Sequence, residues 1–176
     1  FFDSKHSTRW VSSHWQIPCT IMAMYLLLLY VPLGAPAPAS APSRAVLVAW
    51  NVLMAVLSMM GAGICIPDLL FNPNGGVLIR GFAASVCTHA SAHGMDWTGV
   101  ALFAFLLSKP MELVDTLLLC RKGRPVTFLH AYHHSTVIYF TWYMYAARQS
   151  AGLWFASMNL FVHCIMYSYY AAASVG

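Results

Sequence analysis

Three short clusters hold most of the side chains in this sequence that could do chemistry. His130, His133 and His134 fall within five residues. On a helix, spacings of three and four put them on one face, so three imidazoles can converge on one reacting centre or ion. Upstream, Lys109, Glu112 and Asp115 recur at every third position, placing a cation and two carboxylates on one side of a helix, with Lys109 and Glu112 in ion-pair geometry. Downstream, Asn159, His163, Met166 and Tyr170 form a polar seam at helical spacing on an otherwise apolar stretch. Each cluster also has a bland reading: a structural pair with a snorkelling lysine, a packing histidine, or Asn, His and Tyr gluing helices together. Three imidazoles in five residues exceed the usual packing role, and His163 supplies a fourth.

The surroundings of these clusters decide what they cost. Of 176 residues, 60% are hydrophobic and 8% charged, with a mean hydropathy of +0.65; an average soluble domain is about one quarter charged. A soluble globular fold is excluded, and lipid is the solvent for most of the chain. Ionisable groups inside a hydrocarbon span cost several kcal/mol unless paired or facing a wet cavity, which makes these residues functional candidates by default. The net charge of +4 is scattered, so there is no basic stripe for nucleic acid. Cys19, Cys65, Cys87, Cys120 and Cys164 show no paired spacing, which argues against a disulfide framework or a zinc knuckle.

The elements that must position the clusters follow from apolar runs at 17–33, 45–66, 98–120, 126–147 and 153–175. Each is near the length of one bilayer crossing. They lack the alternation of barrel strands, so they are helices. The expected fold is an all-α, polytopic membrane helix bundle, with residues 1–176 as a single domain. The first run follows Lys5, Arg9, Trp10 and Trp15 and precedes a Pro/Ala linker; a signal peptide competes with a first span here, and the length of the run and its interfacial tryptophans favour the span. The apolar piece around Arg80 is too short to cross and reads as interfacial or re-entrant. Short joints at 121–125 and 148–152 make the last three spans sequential antiparallel neighbours. Arg121, Lys122 and Arg124 place the first of these joints in the cytosol and the N-terminus on the opposite side. Beginning at Phe1 and stopping at Gly176 after an apolar run, the chain reads as a fragment.

The segment Lys109-Pro110-Met111-Glu112-Leu113-Val114-Asp115-Thr116 resembles the K-x-x-E-L-x-D-T box of the membrane fatty-acid elongases (the ELO family, very-long-chain 3-oxoacyl-CoA synthases). His130 to His134 resembles their H-x-x-H-H box, and Asn159 to Tyr170 their N-x-x-V-H-x-x-M-Y-x-Y-Y box, in the same order and spacing. The likeness extends from the Trp10/Trp15 region to Gly176. Ser108-Lys109, Leu129 and Met158-Asn159 look most like the branch acting on saturated and monounsaturated acyl-CoA.

This resemblance implies a multi-pass endoplasmic-reticulum protein with seven transmembrane helices, five of them present here. It implies decarboxylating condensation of long-chain acyl-CoA with malonyl-CoA to 3-oxoacyl-CoA, CO2 and CoA, with no cofactor and no metal. On the family pattern His133 is the acyl carrier, since an acyl-imidazole is activated enough to surrender its acyl group. His163 faces it, while His130 and His134 orient it, relay protons or stabilise the enolate. Lys109, with Arg121, Lys122 and Arg124, is placed at the cytosolic mouth to meet CoA phosphates. Glu112, Asp115, Asn159, Tyr167 and Tyr170 complete the substrate-binding set, with Glu112 and Asp115 holding Lys109, a histidine or a helix end. Cys164 lies outside the required positions. Implied partners are the bilayer and the ketoacyl-CoA reductase, dehydratase and enoyl-CoA reductase of the elongation cycle, with homodimerisation open and no nucleic acid. Two rivals remain. A di-iron desaturase or hydroxylase would use the histidine box with His89 and His93, leaving the Lys109 and Asn159 boxes without a role. A haem-binding membrane electron carrier would use His130 or His133 with His163 as axial ligands, leaving the rest of the histidine box and the charge box unexplained.

Overall fold

A computed structural model of the chain describes residues 3–30, 41–87 and 96–175. These form eight helices: α1 Ser4–Ser13, α2 Gln16–Tyr30, α3 Arg44–Phe71, α4 Val77–Cys87, α5 Asp96–Met111, α6 Leu113–Arg121, α7 Phe128–Ala146 and α8 Ala151–Val175. No strand occurs among the described residues, in agreement with the all-α class expected from the sequence. His89, His93 and most of the Pro/Ala linker lie outside them.

Local chemistry sets most of the helix starts. The Asp3 carboxylate caps α1 by accepting from the backbone N–H groups of Lys5 (2.9 Å) and His6 (3.0 Å). The Ser43 hydroxyl caps α3 through Val46 N–H at 3.3 Å, and Thr127 caps α7 through His130 N–H at 3.3 Å. The helix α3 runs past the expected end at Ile66, through Pro67, to Phe71. Proline forfeits one helical hydrogen bond and crowds the preceding turn; burial of Leu69 in the core formed with α5 and α8 holds the last turns in place. The interfacial piece around Arg80 is α4, broken at Gly81 (φ 83°), a conformation that glycine alone adopts without strain. It packs on α8 through Trp154 Nε1, which donates to Ser85 Oγ at 2.9 Å.

One expectation is corrected here. The run 98–120 is not one continuous helix but α5 and α6, interrupted at Glu112. Pro110 has no N–H to give the Leu106 carbonyl and its ring presses on the preceding turn, so the helix breaks just after it. The sequential neighbours expected from the short joints do touch, α5 with α7 and α7 with α8, but the most extensive packing among the described residues joins α8 to α3, while α7 packs mainly on α2 and α5. Small side chains explain the choice. The seam is lined by small buried side chains, Ala55, Ser58 and Ala62 on α3 and Ala156 and Ser157 on α8, and a Cβ at Gly61 would stand 3.0 Å from Leu160 Cδ2. Such residues let two backbones approach closely, which drives association where no hydrophobic force separates helices from lipid.

Among the described helices, α3 alone is both long and apolar enough to cross a membrane by length and composition. Splitting α5 from α6 leaves two short pieces, and the histidines and tyrosines of α7 and α8 dilute their apolar character. The outer surface is nonetheless greasy: Leu27, Met60, Phe82, Phe161 and Ile165 are all exposed. An exposed apolar surface of this extent suits lipid rather than water.

Candidate active site

The cap at Thr127 starts α7 immediately before the histidines, so His130, His133 and His134 occupy its first two turns. Their rings cluster, with centroids 4.4 Å apart for His130 and His134 and 5.4 Å for His133 and His134. His130 Nε2 hydrogen-bonds the Thr116 hydroxyl of α6 at 2.8 Å, and that hydroxyl also meets Tyr25 OH of α2 at 3.3 Å. His134 is buried with its ring toward Tyr25. His133 turns instead toward α8, its ring centroid 6.5 Å from that of His163.

Beneath the imidazoles lies a buried ion pair. Lys109 and Glu112 are each 1% exposed. Lys109 Nζ donates to Glu112 Oε1 at 2.5 Å and to Asn159 Oδ1 at 2.7 Å, and sits 4.2 Å above the Phe105 ring. Glu112 Oε1 is also 3.5 Å from His163 Nδ1. Lys109 near the end of α5 and Glu112 at its junction with α6 thus share one buried cluster with Asn159 and His163. Lys109 therefore does not sit at a cytosolic mouth: its ammonium is enclosed by Glu112, Asn159 and Phe105. Arg121, Lys122 and Arg124 are exposed, one α6 length away, about 13 Å for nine residues at 1.5 Å each.

Asp115 ties three helices together. Trp50 Nε1 of α3 donates to its Oδ1 at 2.6 Å and Tyr167 OH of α8 donates to its Oδ2 at 2.5 Å. The Tyr167 ring in turn stands edge-on to His163, centroids 5.3 Å apart. Tyr170 is not brought into the cluster; it is 47% exposed and packs against Tyr169. The buried stripe of α8 advances through Leu153, Ala156, Leu160, His163 and Tyr167, and one further turn leads to the half-buried Ala171 rather than to Tyr170. Met166 only flanks the packing around Tyr167.

Residues 10–176 match the family described as ELO: GNS1/SUR4 family. The chain belongs to this family. Fatty acid elongase 3 of Trypanosoma cruzi (strain CL Brener) is 37% identical over 196 residues, covering 99% of this chain and 65% of that protein. The Caenorhabditis elegans protein named putative fatty acid elongase 3 is 33% identical, covering 99% of this chain and 53% of its own length. Very long chain fatty acid elongase 6 of Gallus gallus is 32% identical, covering 99% and 64%. The chain thus spans between about half and two thirds of these relatives. No solved structure matches it significantly.

Membership of the ELO family speaks against the iron and haem alternatives, neither of which uses the Lys109 and Asn159 boxes that the fold buries together. Three participants in this ELO site were not singled out from the sequence, Tyr25, Trp50 and Phe105, and Thr116, which closes the lysine box, was given no role of its own. For Tyr25 and Trp50 a signal existed. A tyrosine or tryptophan inside an apolar run must find a partner for its polar handle, though the sequence does not say which. Glu112 Oε2 and His134 Nδ1 are buried and have no hydrogen-bond partner among the described residues, so the pocket retains polar capacity for a substrate.

Proposed function

We propose that this protein is the condensing enzyme of fatty-acid elongation in the endoplasmic-reticulum membrane, joining a long-chain acyl-CoA to malonyl-CoA. The observation that carries the reading is the approach of His133 on α7 and His163 on α8, 6.5 Å between ring centroids, above the buried Lys109–Glu112 pair. In this reading a ring nitrogen of His133 attacks the acyl thioester, and CoA leaves as the thiolate and takes up a proton. Malonyl-CoA loses CO2, its enolate attacks the acyl-imidazole carbonyl, and the C–N bond breaks to return His133 and release 3-oxoacyl-CoA. His163, His130 and His134 serve as proton carriers and as donors to the enolate oxygen. An apolar cavity lined by Leu102, Phe105, Leu106, Met144, Leu153 and Phe155 lies toward the other end of α7. It touches none of the histidines but shares Phe105 with the Lys109 environment. Saturated and monounsaturated acyl chains are the favoured substrates, and the reductases and dehydratase of the cycle consume the product.

The test is malonyl-CoA-dependent chain extension in membranes carrying the full-length protein, supplied with a saturated acyl-CoA and a chelator. Extension should survive the chelator and disappear in His133→Ala, and an acyl adduct should map to the peptide containing His133. Full activity in His133→Ala, or loss on chelation, would reject the acyl-imidazole route.

A further inference from the structure

We propose that Trp50 and Asp115 are positioning residues that fix the orientation of His163 by way of Tyr167, an inference that rests on the condensing-enzyme reading for its kinetic consequence. Trp50 lies on α3, outside all three sequence boxes. Its indole N–H donates to Asp115 Oδ1 at 2.6 Å, and Tyr167 OH donates to Oδ2 at 2.5 Å. A carboxylate only accepts, so both donors have their hydrogens committed to it. The Tyr167 ring is consequently held between Asp115 at its hydroxyl and Met54 and Ala55 along its body. Its edge meets His163 with centroids 5.3 Å apart and ring planes at 81°. The imidazole Nδ1 also lies 3.5 Å from Glu112 Oε1. These two contacts decide which ring nitrogen of His163 looks toward His133. One of them hangs on a hydrogen bond that starts at Trp50, three contacts away from His163. Removing the indole N–H leaves Asp115 Oδ1 short of a donor. The Tyr167 hydroxyl then readjusts toward it and the ring beneath His163 turns.

Trp50→Phe tests this in the full-length protein, because it keeps an aromatic ring in the packing and deletes only the donor. We expect kcat for malonyl-CoA-dependent extension to fall about tenfold, the scale of loss expected when a reacting group is slightly misplaced, with KM for both substrates within twofold. The 15N resonances of the His163 ring, assigned by comparison with His163→Gln, should shift. Leu69→Ala, in the apolar core near the opposite end of α3, destabilises the fold without touching the chain of contacts; it should leave kcat per folded molecule and the His163 resonances unchanged. The double variant Trp50→Phe, Asp115→Asn should be no slower than the slower of its single variants, since both act on one path. Unshifted His163 resonances in Trp50→Phe overturn the proposal, as does an equal loss of kcat in Leu69→Ala. If the wild-type protein shows no chain extension, the condensing-enzyme reading fails, and the His163 resonances alone still decide whether Trp50 positions that ring.

Discussion

Lys109 shows how the meaning of a residue changes between pattern and packing. Its spacing to Glu112 announces an ion pair, but burial turns that pair into a structural liability if half of it is lost. Removing one partner of a buried pair typically costs about 3–5 kcal/mol, because the other charge is left uncompensated, whereas apolar replacement of both is often neutral. Lys109→Ala should therefore lose stability on that scale in detergent unfolding experiments. Lys109→Met with Glu112→Leu should restore stability to within about 1 kcal/mol of the original, yet remain inactive because His163 has lost its Glu112 contact. Restored activity in the double variant would relieve Glu112 of any part in the chemistry. Cys164 makes the opposite case. It adjoins His163 in sequence but packs against the apolar cluster of Ala62 and Ala156, so Cys164→Ala should keep turnover within about twofold, the span of ordinary surface and volume-conserving effects.

Two helix contacts carry the geometry of the site. The α3–α8 seam brings Trp50 to Asp115 and Tyr167, and it leaves no room at Gly61, where a Cβ would stand 3.0 Å from Leu160 Cδ2. Gly61→Leu should overpack that point at a cost of about 1–3 kcal/mol, read as a lowered unfolding midpoint, and adding Leu160→Ala should recover part of the loss. A Gly61→Leu protein as stable as the original would mean the seam is looser than the structure indicates. At the other contact, α1 docks on α7 through Trp142 Nε1, which donates to the Val11 carbonyl at 2.9 Å, and through Ser7 with Tyr145 at 2.8 Å. Backbone N–H groups of His6 and Lys5 hold the Asp3 carboxyl below its usual value. A carboxylate with a depressed pKa supports the fold above its unfolded pKa, and the support is lost as pH falls through the folded value. Amide exchange in the first turn of α1, corrected for its intrinsic pH dependence, should accelerate in acid below about pH 4. In Asp3→Ala it should already be fast at neutral pH. Exchange in the original protein that ignores pH would show that this cap contributes nothing.

For the whole molecule the governing question is how the bundle sits in lipid. The 19 residues of α7 span about 28 Å at 1.5 Å per residue, close to the ~30 Å hydrocarbon thickness of a bilayer. The exposed loops at its two ends, one holding Lys122 and the other Gln149, should then lie on opposite sides. Single cysteines placed at Lys122→Cys and Gln149→Cys in a background without other cysteines report this directly. In sealed microsomes a membrane-impermeant maleimide should label the first from the cytosolic side and reach the second only after permeabilisation. Equal labelling of both in sealed vesicles would show that α7 does not cross.

Much of this protein is settled by local rules that any stretch of its sequence obeys. Helical spacing places His130, His133 and His134 on one face, Thr127 starts α7 where the histidines need it, and the apolar composition makes lipid the solvent; each follows from a few neighbouring residues. The family membership rests on the same boxes. What local rules do not contain is the choice of partner between helices of similar greasiness, because hydropathy is equal for all of them and only the fit of side chains discriminates. That choice pairs α8 mainly with α3, encloses Lys109 away from any mouth, leaves Tyr170 outside, and brings in Trp50 and Tyr25 from helices that carry no box. The break at Glu112 lies between the two levels. Pro110 announces it in the sequence, but only the packed bundle shows that Glu112, at the break, carries both Lys109 and His163.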